Sequence, residues 1–250
     1  MNRPIVRRAL LILAFSAAAI AVMGYHPGVE DDGVYLSAVQ SDLKPALYPH
    51  DAEFFRLQLQ ATVFDTWVAG FARATGIPVP VTELLWQCAS ILLIVFACWR
   101  IACELFAEEA ARWTGVAMVA AMLSLPVSGA ALYLADFYLH PRNVATALIL
   151  LAVWRILAGR RWQAIPLLAA AFLFHPIMAA MGISFCCFLI VVLWEPAWLR
   201  GLNRFLGRFL GRILRRSPAM RSLAALTPLG WIFAPRTAAW RKALDTKTYY

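Results

Sequence analysis

Residues 24–36 read Gly-Tyr-His-Pro-Gly-Val-Glu-Asp-Asp-Gly-Val-Tyr-Leu, which sets three consecutive carboxylates, Glu30, Asp31 and Asp32, close behind His26. Adjacent carboxylates repel one another, a cost that is tolerable in water or against a cation and poor inside an apolar core. A carboxylate held in this way can act as a general base toward a hydroxyl. Asp31 and Asp32 are the candidates, with Glu30 beside them, and their repulsion is expected to raise one pKa and to make the two titrate as a unit. The same residues also read as a solvated acidic loop that keeps its side of the chain from crossing a membrane. Further along, Arg142, His140 and His175 could receive a phosphate, since an arginine fork matches phosphate oxygens. The competing reading makes His140 and His175 helix-end residues packed by Pro141 and Pro176, and for His26 and His50 that plainer reading is preferred.

The elements that must position these groups follow from composition. Of 250 residues, 62% are hydrophobic and 15% charged, against roughly 45–50% and about 25% in soluble domains. The chain reads as an all-α, multi-spanning membrane protein. Its net charge of +9 then reports topology, and a nucleic-acid partner is not expected. The five cysteines fall in or beside apolar runs and read as small packing residues.

Arg3, Arg7 and Arg8 precede an apolar run over 9–23, read as an uncleaved first span rather than a signal peptide, with its basic flank cytoplasmic. Residues 25–81 form an external loop. Within it the spacing predicts a short helix over 33–43 and one amphipathic helix over 52–75, capped by Asp51 and ended by Gly76. Further spans are expected over 84–102, 114–134 and 144–157. The apolar stretch 162–194 would be about 50 Å long as one helix, beyond the ~30 Å hydrocarbon core. A break at His175-Pro176 has a mechanism, because proline disfavours helix at the preceding residue and lacks a donor. Two spans there bring the total to about six.

With that topology, four basic residues (Lys44, Arg56, Arg73, Arg142) and nine acidic ones lie outside, and the other 19 of the 23 basic residues lie inside. All four histidines fall outside. Arginines recur at 200, 204, 208 and 212 among apolar residues, which predicts a basic amphipathic helix over 200–216 on the anionic inner leaflet. The expected organisation is a helical membrane domain over 1–198 and a basic cytoplasmic or interfacial segment over 199–250, read as the start of a longer C-terminal region.

A first span, the acidic stretch Glu30-Asp31-Asp32-Gly33-Val34-Tyr35-Leu36, an amphipathic segment over 52–75 and the loop 136–142 resemble, in that order, the N-terminal half of the GT-C superfamily of membrane glycosyltransferases. The resemblance covers roughly the first 195 residues. It implies sugar transfer from a polyprenyl-phosphate donor at the external face of an inner (plasma) membrane, with an acidic residue after the first span as general base or metal ligand. Membrane lipid and the lipid-linked sugar are the implied partners. No cofactor is firmly implied: carboxylates suit Mg²⁺ or Mn²⁺, and added histidine would favour a transition metal. A transporter and a noncatalytic membrane scaffold are the alternatives. In the enzyme reading, the outer ends of the spans form one polar cleft in which Asp31 or Asp32 lies within reach of Arg142.

Overall fold

The computed structural model describes residues 3–125 and 133–194, all within or bordering the compact unit Met1–Leu193; a second unit begins at Trp194. The expected helix 200–216 and the segment 199–250 lie outside the described residues. Among the described residues the fold is all-helical: α1 (Arg3–Met23), α2 (Asp32–Leu43), α3 (Ala52–Ala61), α4 (Phe64–Thr75), α5 (Val79–Leu105), α6 (Glu109–Ala121), α7 (Pro141–Leu157), α8 (Ala164–Phe174) and α9 (Pro176–Trp194), with single 3-10 turns at Pro45–Leu47 and Arg161–Gln163.

Among the described residues three helices are long and apolar enough to cross a bilayer: Pro4–Met23, Val79–Leu105 and Pro176–Leu193. The other segments expected to span are shorter. α6 stops at Ala121 and gives way to turns, α7 has 17 residues, and α8 has 11. α5, with 27 residues, is about 40 Å long and exceeds the ~30 Å hydrocarbon core. Its polar residues Thr82, Glu83 and Gln87 lie toward one end of the helix, and Arg100 and Glu104 toward the other.

Helix ends follow local chemistry. Gly24 adopts φ +77° and its N–H bonds the Ile20 carbonyl at 2.9 Å, a left-handed C-terminal cap that turns the chain out of α1. Gly76 ends α4 in the same way at φ +70°. Asp51 stands at the N-cap of α3 but makes no side-chain capping bond. The single helix expected over 52–75 is two. Thr62 is extended (φ −148°, ψ 168°), and the Val63 N–H leaves the helical ladder to bond the Leu173 carbonyl at 3.1 Å. That bond to the end of α8 breaks the amphipathic segment and fixes where α4 starts.

Small residues make the closest helix contacts, as expected where backbone approach rather than water exclusion drives association. Ala97, Ala145, Ala147, Ala152, Ala171 and Ala179 are fully buried. At Gly182 of α9 a Cβ would stand 2.7 Å from Cγ1 of Ile149 in α7. Stacked rings join α1, α5 and α6, with Trp113 5.9 Å from Phe15 and 6.0 Å from Trp99. Arg7 of α1 pairs with Glu109 of α6 at 3.8 Å, so the start of α1 and the start of α6 share one end of the bundle. The Val63–Leu173 bond and the residues described next gather at the opposite end.

Candidate functional site

The site is built on the segment 133–140 and the helix it leads into. Pro141 opens α7, a position where its missing N–H costs nothing. His140 is the N-cap, and its Nδ1 accepts the Arg142 N–H at 3.0 Å. His175 repeats the device before Pro176, its Nδ1 accepting the Met178 N–H at 3.2 Å. A ring nitrogen that accepts a backbone N–H must be unprotonated, so each neutral imidazole carries its proton on Nε2. The helix-end reading and a chemical role are therefore compatible: Nδ1 caps the helix and Nε2–H is left as a donor. The two rings lie 5.9 Å apart. Burial, then the Arg142 charge and His175, push His140 down to about 3, and burial and Arg142 lower His175 also. Both are neutral donors at physiological pH.

Asn143 ties this segment to the spans. Its Nδ2 donates to the Asp136 carbonyl (3.2 Å), the Tyr138 carbonyl (3.0 Å) and Gln87 Oε1 (3.0 Å), while its Oδ1 accepts the Asp136 N–H at 2.8 Å. Gln87 of α5 completes the lock by donating to the Asp136 carbonyl at 2.8 Å. All three side chains, Asn143, Gln87 and Asp136, are buried.

Arg142 is engaged by Asp136. Its Nε and one terminal nitrogen bond the two Asp136 carboxylate oxygens at 3.0 and 2.9 Å, a two-pronged pair with the carboxylate fully buried. Asp136 lies six residues before Arg142 in the same turn, and its backbone N–H is already held by Asn143. Burial lifts Asp136 above the usual carboxylate range, Arg142 opposes that lift, and Glu30 and Asp31 add to it.

The acidic stretch is held over this segment by the His26 N–H, which bonds the Phe137 carbonyl at 2.8 Å, and by the edge of the His26 ring against Phe137. Its three carboxylates diverge. Asp32 is buried in the first turn of α2 and accepts the Gly28 N–H. Glu30, at φ +51°, accepts the Tyr138 hydroxyl at 3.4 Å. The Asp31 side chain is 72% exposed, with Oδ2 3.9 Å from Nε2 of the buried His140. Asp32 is raised chiefly by burial, partly offset by the Gly28 bond.

Sequence reasoning passed over several residues of this cluster. Tyr35 sets its ring edge-on to both Phe64 (5.8 Å) and His140 (5.0 Å), and its phenol is pushed up to about 12, first by burial and then by Asp31 and Asp65. Asp65, in the first turn of α4, is completely buried; Oδ2 takes a 3.4 Å bond from Gln58 and Oδ1 has no partner among the described residues. Burial lifts it to about 7. No spacing signal marks Asn143, Gln87 or Asp65; only the His-Pro pairs were visible as caps. Among the described residues no three His, Cys, Asp or Glu side chains converge as ligands for one ion. The nearest candidates are committed elsewhere, with Nδ1 of both histidines on backbone N–H groups, Asp32 on Gly28 and Asp136 on Arg142.

Chemically, the arrangement presents two solvent-facing carboxylates, Glu30 and Asp31, of which Asp31 lies beside a neutral N–H donor, above a buried ion pair that stiffens the floor. No family model, no curated protein and no solved structure matches the chain.

Proposed function

We propose that the chain is a multi-pass, glycosyltransferase-like membrane protein that moves a sugar from a polyprenyl-phosphate donor to a hydroxyl at the external face. The observation that carries this reading is the exposure of Asp31 at the mouth of the cluster, while Asp32 and Glu30 are engaged. Asp31 takes the acceptor hydroxyl proton as the oxygen attacks the sugar's anomeric carbon. The bond from that carbon to the phosphate oxygen breaks, and its electron pair leaves on the phosphate. The Nε2–H groups of His140 and His175 donate to the departing phosphate oxygens, and neutral donors positioned where charge develops are a recognised source of rate. Arg142 is a positioning residue, since it holds Asp136 and its backbone N–H orients His140. This reading takes α1, α5 and α9 as full spans and the shorter α6, α7 and α8 as membrane-embedded segments that complete the six, with the cleft external and the ends of α5 and α7 cytoplasmic.

The test is Asp31→Asn in the full-length chain, assayed with polyprenyl-phosphate hexoses in membranes. Loss of a general base lowers turnover by roughly 10²–10⁴-fold; unchanged transfer at equal protein level sinks the assignment. A second reading, a proton-linked transporter, is favoured by the buried carboxylates Asp32, Asp65 and Glu83, because ionisable groups buried near spans mark proton and ion routes. Proton flux in proteoliposomes that falls in Asp32→Asn, with no glycan product in the wild type, selects it. The topology has its own check: Ser41→Cys should label from outside and Ser217→Cys should not, and external labelling of Ser217→Cys removes the division into two spans at His175-Pro176.

A further inference from the structure

Away from the cleft, where α5 and α7 run out, two guanidinium groups face one indole. The Arg155 Cζ stands 3.8 Å and the Arg100 Cζ 4.4 Å from the Trp154 ring centroid, and Arg100 also lies 5.3 Å from Trp99. Trp154 is buried, and its Nε1–H donates to Glu104 at 3.3 Å. The two charges are therefore within roughly 8 Å of each other, where like charges repel unless an anion is shared between them. Among the described residues no carboxylate comes within 4.0 Å of either guanidinium. The Arg100 Nε is buried and has no acceptor there.

Stacking on the indole engages the guanidinium faces and leaves the N–H edges, and those edges are what phosphate oxygens bind in two-pronged fashion. Two further arginines continue the chain from this helix end: the Arg160 N–H bonds the Arg155 carbonyl at 2.8 Å, and Arg161 lies 5.5 Å over Trp162. Trp162 is 72% exposed, the placement of an indole that sits at headgroup level. An apolar body between helices, an aromatic at the interface and paired arginines match a lipid phosphate rather than a carboxylate side chain.

The geometry points to a phosphate-binding site formed by Arg100 and Arg155 around Trp154, taking the headgroup phosphate of an anionic phospholipid in the leaflet that faces this end of the bundle. The inference needs the bilayer but not the transfer chemistry, and it holds even where Asp31 proves to be no base.

The full-length protein is placed in nanodiscs of phosphatidylcholine, with or without phosphatidylglycerol, and the unfolding midpoint and retained phosphatidylglycerol are measured for wild type, Arg100→Gln, Arg155→Gln, the double variant and the Arg100→Lys/Arg155→Lys pair. Retention should fall about fivefold for each single neutralised charge and roughly tenfold or more for both, and the lysine pair should recover part of it. Phosphatidylglycerol should stabilise the wild type and not the double variant. If the glutamine variants lose stability equally in both lipids and retain as much phosphatidylglycerol, the arginines only cover Trp154 and the site is refuted. If inorganic phosphate added to phosphatidylcholine discs reproduces the stabilisation, with the same dependence on Arg100 and Arg155, the lipid assignment is overturned in favour of a soluble phosphate.

Discussion

Asp65→Asn provides the most direct measure of how the outer helices are assembled. The carboxyl is fully buried, one of its oxygens has no partner among the described residues, and its pKa rises from 3.8 to about 7. The sign follows from which state holds the proton. Below about pH 4 both folded and unfolded chains carry it, and the group is neutral to stability's pH dependence. Between about 4 and 7 the unfolded chain releases it while the folded chain keeps it, so stability falls by about 1.4 kcal/mol per pH unit. Above about 7 both states are ionised and the loss is complete. A span of about three units makes the whole loss roughly 4 kcal/mol as an upper bound. Asparagine keeps the volume and never ionises. The difference in unfolding midpoint between Asp65→Asn and wild type should therefore widen from pH 4 to pH 7 and stay level above it, by as much as roughly 10 °C for a chain of this size. The measurement is thermal unfolding of the purified full chain in one detergent across pH 4 to 9. A difference that stays flat with pH would mean that water or a basic group reaches Asp65, and the burial argument for the seat of α4 would fail.

The Asp136–Arg142 pair predicts a different pattern. Arg142→Met leaves a buried carboxylate uncompensated and should cost about 3–5 kcal/mol near neutral pH, while the Asp136→Asn/Arg142→Met double variant should recover most of that. Because burial already raises Asp136, the cost of the single variant should shrink as the pH is lowered; equal losses in single and double variants would show that the pair is not inserted as described. Gly182→Ala should cost about 1–3 kcal/mol, since its Cβ would meet Ile149 at 2.7 Å. The companion change Ile149→Ala, which removes all three of the atoms that Cβ would meet, should return part of that loss, and absence of any effect of Gly182→Ala would place α9 elsewhere.

The His-Pro pairs were legible because their consequence is local. Proline has no N–H to give and tilts the preceding residue out of helix, so breaks before Pro141 and Pro176 follow wherever the chain goes. The ends of α1 and α4 at Gly24 and Gly76 are local in the same sense. The acidic stretch could be picked out, but not how each of its members is held, with Asp32 buried and Glu30 and Asp31 exposed. That depends on Gly28 folding back onto Asp32 and on Tyr138, more than a hundred residues away, reaching Glu30.

Other features were decided only by tertiary structure. Periodicity over 52–75 gives one helix, and the chain has two, because the Val63 N–H finds a carbonyl on α8 that no window of sequence contains. Arg142 stood out as the one basic residue in the short outer turns; that Asn143 and Gln87 hold Asp136 against it was not legible. Apolar runs long enough to register by composition produced six expected spans; among the described residues three helices reach spanning length, and α6, α7 and α8 end at turns and caps. Composition and cap chemistry act between neighbours in the chain and can be read from it. The partners of a buried polar group are whichever segments the packed helices bring alongside, and pairing energy in a low-dielectric interior is set by that proximity and not by sequence order.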